Sequence, residues 1–191
     1  MTDGGVRGFE GLDAATLEAL ARRGQLVVVN EERGQFRSVT AGVAIDAPVA
    51  TVWDVITAYE TYPEFMPQIA STRVTRNPPD SIDVDFVLAL KLPVGKFKIK
   101  YKMRHHLTEH QRIDFELLGG DLKHVEGGWQ LIQLGDDATL GLYTVYTDLK
   151  SLGRIAAYVI KQDPSFETAI NTSSATMVAG TIKQRVEGRS G

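Results

Sequence analysis

The sequence predicts an α+β protein: an antiparallel sheet with a long helix at the C-terminal end. Three patterns point to it. From Ile82 to Leu117 apolar and polar residues alternate with the period of two that a half-buried strand requires. Val49, Val52, Trp53 and Ile56 recur at i, i+3, i+4 and i+7, one face of an amphipathic helix. Asp163-Pro164, a capping residue followed by a proline suited to the first turn, opens a helical stretch running to about Val186. At 191 residues, 43% of them hydrophobic and 24% charged, the chain is long enough to bury one sizeable core.

The first eleven residues are glycine-rich and expected to be poorly ordered. Asp13 is placed to cap a helix whose stripe is Ala14, Leu17, Leu20 and Ala21, with Gly24 as its stop. Leu26 to Val29 is a short β-branched run, and Asn30 to Gln35 is turn-like. Residues 1–35 are too few to close a core, so they read as an N-terminal extension docked on a main domain of residues 36–191. Phe36 to Ile45 forms the first strand of that domain. Pro48 begins the helix through Ile56; Tyr62-Pro63 starts a second short helix, which Pro67 ends.

In the next strand Ile82, Val84, Phe86, Leu88 and Leu90 alternate with Asp83, Asp85, Val87 and Ala89. After the tight connection Leu92-Pro93-Val94-Gly95, the residues Phe97, Ile99, Tyr101, Met103 and His105 alternate with lysines and Arg104. Pairing around that tip sets Phe86 opposite Tyr101, Asp85 opposite Lys102 and Asp83 opposite Arg104. Apolar faces and opposite charges agree in one register. Ile113, Phe115 and Leu117 continue the scheme with Asp114 and Glu116 between them, so the lysine run reads as the solvated outer face of a sheet. Two further strands lie near 126–134 and 139–150. Gly127-Gly128 marks a bulge or a close backbone approach in the first of them. Trp129, Tyr143 and Tyr146 cannot be phased, because both faces of these strands carry apolar residues. Leu152, Ile155, Ala156, Val159 and Ile160 form a short amphipathic helix. In the final helix Phe166, Ile170, Ser173, Met177 and Thr181 share one stripe. Its middle, residues 171–180, is rich in small and hydroxyl side chains, which either leave space above the sheet or permit close helix–sheet packing.

The formal net charge of −3 gives no electrostatic case for nucleic acid or an anionic membrane as a principal partner. There is no cysteine, which excludes disulfide and thiolate chemistry. No apolar run approaches the ~18 residues of a membrane span. The polar start MTDGGVRGFEGLD carries no signal-peptide core, so a cytoplasmic location is expected. His105 and His106 are adjacent in a strand and point to opposite faces. His106 and His110 would stand about 13 Å apart on a continued strand, too far for one ligand sphere. No metal or cofactor is expected. Phosphate-cradling, dinucleotide and Ser–His–Asp motifs are missing from the sequence.

The run IDAP–x4–W–x5–YE–x2–PEFMP, from Ile45 to Pro67, resembles the opening of the START-like superfamily, which includes polyketide cyclase/dehydrases and coenzyme-Q-binding proteins. The resemblance extends over about Phe36 to Val186. It implies a helix-grip fold: a curved antiparallel sheet of six or seven strands wrapped around the long C-terminal helix, with two small helices after the first strand. It also implies a ligand cavity between sheet and helix. From the sheet the lining would be Phe86, Leu88, Ile99, Tyr101, Met103 and His105; from the last helix, Ser173 and Met177. Trp53, Tyr59, Phe65 and Met66 come from the small helices that close one end, with Phe65 and Met66 at the mouth.

The expected ligand is a hydrophobic small molecule: a lipid, an isoprenoid quinone or a polyketide-like aromatic. Where quinone-binding relatives often carry proline and tryptophan before the last helix, this chain has Ile155-Ala-Ala-Tyr158, a departure that counts against ubiquinone. An aromatase/cyclase would position a poly-β-ketone, with Tyr101 or His105 as its polar groups. The outward course of Arg104 and the lysines weakens that alternative. A protein-interaction module of the ribosome-association type would show an exposed apolar or single-sign patch, which the charge-balanced sheet does not offer.

Overall fold

The computed structural model describes residues 9, 11–92 and 95–188. Most of the glycine-rich start and the Pro93-Val94 tip therefore fall outside the described residues. In chain order the elements are α1 (Ala14–Ala21), β1 (Leu26–Glu32), β2 (Gln35–Ile45), α2 (Val49–Thr57), a 3₁₀ turn (Tyr59–Thr61), α3 (Tyr62–Phe65), β3 (Ile69–Asn77), β4 (Ser81–Leu92), β5 (Gly95–Thr108), β6 (Arg112–Gly120), β7 (Val125–Leu134), β8 (Ala138–Thr147), a second 3₁₀ turn (Leu149–Leu152), α4 (Arg154–Gln162) and α5 (Ser165–Val186).

The strands form one antiparallel sheet in the order β1-β2-β8-β7-β6-β5-β4-β3. Eight strands are described rather than six or seven, because the β-branched run at Leu26 hydrogen-bonds along β2 as an edge strand. The β4–β5 register is the one the alternation demands, with Phe86 opposite Tyr101, Asp85 opposite Lys102 and Asp83 opposite Arg104. Arg104 grips Asp83 through two bonds of 2.7 and 3.0 Å. That pairing holds the Asp83 carboxyl below the usual carboxylate range.

The caps follow the sequence. Asp13 Oδ1 accepts the Thr16 N–H at 2.7 Å, and Asp163 Oδ1 accepts that of Ser165 at 3.0 Å. On α2 the predicted face is the buried one: Val52, Trp53 and Ile56. Gly127 has φ +149° and lies so close to β8 that a Cβ would stand 2.1 Å from the Thr144 carbonyl oxygen. It marks a close backbone approach, as the paired glycines foreshadowed.

The larger core lies on the inner face of the sheet. Val39, Ala41, Val43 and Ile45 of β2 meet Val52 and Ile56 of α2 and Ala175, Ala179 and Ile182 of α5 there. A second core sits on the opposite face, where Leu17 and Ala21 of α1, together with Phe9, cover Ala44, Leu140 and Leu142.

The stripe of α5 that packs is not the apolar one but lies one to two residues on from it. Glu167, Asn171, Ala175, Ala179 and Ile182 are buried, whereas Phe166 is 49% and Ile170 50% exposed. Packing distance explains the choice. The alanines let the helix settle onto β2, which phenylalanine and isoleucine would hold off. Of the two readings of the small residues, close packing therefore accounts for Ala175 and Ala179. Thr176 likewise returns its hydroxyl to the Thr172 carbonyl at 3.0 Å. Asn171 then ties the helix to the end of β8: its side chain accepts the Thr147 N–H at 2.8 Å and donates to the Thr147 carbonyl at 3.2 Å. The principal contacts of α5 are with β2, β8 and α2, so it covers one half of the curved sheet.

Candidate functional site

Beyond the strip seated under α5, the inner face of the sheet is a wall of rings. Phe86 and Tyr101 stack across β4 and β5 with centroids 5.3 Å apart and planes at 21°. His105 lies 4.4 Å from Tyr59 and 5.9 Å from Phe115; Phe115 lies 6.0 Å from Tyr143, and Tyr143 is 4.9 Å from Trp129. The pairing of Trp129 with Tyr143 across β7 and β8 supplies the phase that the sequence withheld. The glycines of β7 explain the difficulty: with no side chains at 127 and 128, alternation there carries no signal.

The wall is not uniformly packed. Phe86, Met103, His105, Phe115 and Trp129 are buried, whereas Tyr101, Leu117 and Tyr143 remain half-buried in the middle of the sheet. These inward-facing side chains keep part of their surface in contact with solvent. The Tyr101 and Tyr143 hydroxyls have no hydrogen-bond partner among the described residues. Burial pushes both phenols well above the ordinary tyrosine range, so they are neutral and able to donate. Tyr62, by contrast, donates to the Ile56 carbonyl at 2.6 Å and belongs to the core.

His105 is 5% exposed, and its Nδ1 lies 3.3 Å from the Ile82 carbonyl oxygen. A carbonyl only accepts, so Nδ1 carries the proton in the neutral ring and Nε2 is left with a lone pair. Desolvation lowers the pKa to about 4, and the ring is uncharged at neutral pH. His106 turns outward and lies 3.4 Å from Glu116.

The residues proposed from sequence divide as follows. Phe86, Tyr101, Met103 and His105 share the inner wall, joined by Tyr59 from the 3₁₀ turn, and Leu88 and Ile99 are half-buried further along the same face. Trp53 is buried between α2 and the sheet, its ring edge-on to His110. Met66 is buried too, and Phe65 packs on Tyr62 beneath the guanidinium of Arg185, 5.0 Å from its ring centre. Ser173 is exposed and Met177 half-buried, on the side of α5 that carries Phe166 and Ile170. Phe115 and Tyr143 join the wall although the sequence reading had not placed them at the site. For Phe115 the signal was present, since it faces His105 in the β5–β6 register.

Two grooves lie elsewhere. One, of about 650 Å³, runs between the end of α1, β2 and the end of α5, and Arg22, Asp46, Lys183 and Glu187 give it a polar lining. The other, of about 570 Å³, crosses the outer face beside Arg73, Asp85, Lys100 and Lys102.

Residues 45–170 match the model of the family described as polyketide cyclase/dehydrase and lipid transport. The chain belongs to that family. Its fold is the helix grip of the START-like superfamily. A START superfamily protein from Mycobacterium smegmatis superposes with a TM-score of 0.61 at 18% identity, covering 80% of this chain and 99% of that one. The ZhuI aromatase/cyclase from Streptomyces sp. R1128 gives 0.58 at 17% identity, over 78% and 95% of the two chains. A STAR-related lipid transfer protein fragment from Xanthomonas axonopodis gives 0.59 at 15%, over 86% and 94%. No curated protein matches this member of the polyketide cyclase/dehydrase and lipid transport family in sequence.

Proposed function

We propose that the protein binds a hydrophobic, ring-bearing small molecule, of the quinone, lipid or polyketide-like aromatic kind, against the ring wall on the inner face of the sheet. The observation that carries this reading is the pair of tyrosines, Tyr101 and Tyr143, half-buried at mid-sheet with hydroxyls that lack partners among the described residues. Around them the wall offers apolar faces to desolvate a ligand, and the two hydroxyls offer donors to orient a carbonyl or phenol. Membership of a family described by polyketide cyclization and lipid transport is consistent with either a carrier or a cyclase.

Carriage is the reading favoured here, for a reason located at His105. A cyclase needs a group that exchanges protons with its substrate near neutral pH. His105 is sealed beneath Tyr59 and Phe115 with a pKa of about 4, a weak base out of reach. The tyrosines, held in the phenol form, can orient but not abstract. The test is organic extraction of the purified protein followed by mass spectrometry, with binding of the recovered compound then measured for Tyr101→Phe and Tyr143→Phe. A recovered hydrophobic compound, bound about fivefold to tenfold more weakly by either variant, is the expected outcome. Turnover of a poly-β-ketone surrogate that depends on His105 would overturn the carrier reading in favour of the cyclase.

A further inference from the structure

The short helix α4 shows an apolar face that nothing among the described residues covers. Ile155 is 83% exposed, Tyr158 64%, and Val159 lies beside them; only Ile160 is buried. Helical spacing of 100° per residue puts Ile155, Tyr158 and Val159 on one side and Ile160 on the other. Leu152 just before α4 and Phe166 and Ile170 at the start of α5 extend the exposed apolar surface on adjoining elements. An amphipathic helix with its apolar side outward is the reverse of what core packing produces. An isoleucine as open as Ile155 has no role in holding this fold together.

The charges say what this face fits. The sequence of α4, RIAAYVIKQ, holds two cations and no carboxylate. Arg154 and Lys161 project together at the border of the apolar side, next to Tyr158, and neither has an ion-pair partner among the described residues. The nearest acidic groups along the chain are engaged: Asp148 accepts the Lys150 N–H at 3.0 Å, Asp163 accepts that of Ser165 at 3.0 Å, and Glu167 is bound to Lys150 at 3.0 Å. A second copy meeting this face through its own α4 would set cations against cations with no carboxylate on either helix to answer them. An anionic lipid surface answers both features at once, with phosphates at the level of the cations and acyl chains beneath.

We infer that the protein docks on anionic membrane surfaces through the outward face of α4 and the first turns of α5. The feature is local, which is why the chain-wide charge of −3 gives no hint of it. Docking of this kind is independent of what the ring wall holds, and it sets the free stripe of α5, from Phe166 toward Met177, beside the lipid.

The experiment is co-sedimentation with phosphatidylcholine vesicles made with and without phosphatidylglycerol. It compares the wild type with Ile155→Asp/Tyr158→Asp and with Arg154→Gln/Lys161→Gln. The wild type is expected to bind the anionic vesicles and to lose binding as salt rises. The apolar variant should bind at least about tenfold more weakly. The charge variant should lose about fivefold per cation on anionic vesicles and change little on neutral ones. Tyr158→Trp supplies a second readout, a blue shift of its emission on adding vesicles. Thermal melts of the variants matching the wild type separate lost docking from lost folding. No wild-type binding to either vesicle, or binding that survives Ile155→Asp/Tyr158→Asp, overturns the inference. So does a concentration-dependent dimer that the same double variant dissolves without any vesicle binding. A co-purified ligand found in the absence of vesicle binding would leave the carrier reading standing alone.

Discussion

His105 ties the chemistry of one ring to the stability of the whole chain. In the folded protein it titrates at about 4, against about 6.5 when exposed. Between those values the unfolded chain takes up a proton that the folded chain refuses. Stability therefore falls as the pH drops from about 6.5 to about 4 and is unaffected by this group above that window. The loss at the bottom of the window is about 3 kcal/mol. Urea unfolding of the wild type and of His105→Gln at a series of pH values should show a shallower acid slope in the variant; equal slopes would contradict the assignment. At this scale the sequence was legible where alternation ran unbroken. The inward course of Tyr101, Met103 and His105 and the facing of Phe86 by Tyr101 were both readable from period two. Tyr143 was not, because both faces of β7 and β8 carry apolar residues and the two glycines just before its partner Trp129 on β7 blank the alternation that would have phased the pair.

Elements were legible in extent and less so in orientation. Caps and prolines located α1, α2 and α5, but hydropathy pointed to the wrong side of α5. The helix seats itself by size, with alanines down, and by hydrogen bonding, through Asn171. A buried asparagine that satisfies both backbone groups of Thr147 looks like an ordinary polar residue until β8 is placed beside it. Asn171→Ala should therefore cost more than its modest volume implies, about 2–3 kcal/mol, by leaving the Thr147 N–H and carbonyl unpaired. Chemical denaturation is the check, and a loss under about 0.5 kcal/mol would show that water replaces the bonds. A similar limit applies to α4. Its amphipathic pattern is plain in the sequence, yet the pattern does not say whether the apolar side faces in or out.

For the whole molecule, the sheet and the grip were readable because the strands, small helices and last helix follow in a diagnostic order. That the N-terminal extension supplies an edge strand to the same sheet was not, since β1 takes its meaning only from pairing with β2. Phe9, Leu17 and Ala21 shield Ala44, Leu140 and Leu142 on the outer face, and β1 occupies the hydrogen-bonding edge of β2. A chain starting at Gln35 should melt several degrees lower and self-associate through the bared edge. Analytical ultracentrifugation should then find a species heavier than the full-length protein forms; an unchanged mass would show the edge to be protected by other means.

Because α5 is anchored chiefly over β2 and β8, the strands farthest from it are at liberty to vary. Leu88, Ile99 and Leu117 stand on β4, β5 and β6, away from the strands that seat the helix, so substitutions there are expected to leave that seat in place. Evolution, or a designer, can thus retune which molecule is accepted while the supporting half of the scaffold stays as it is.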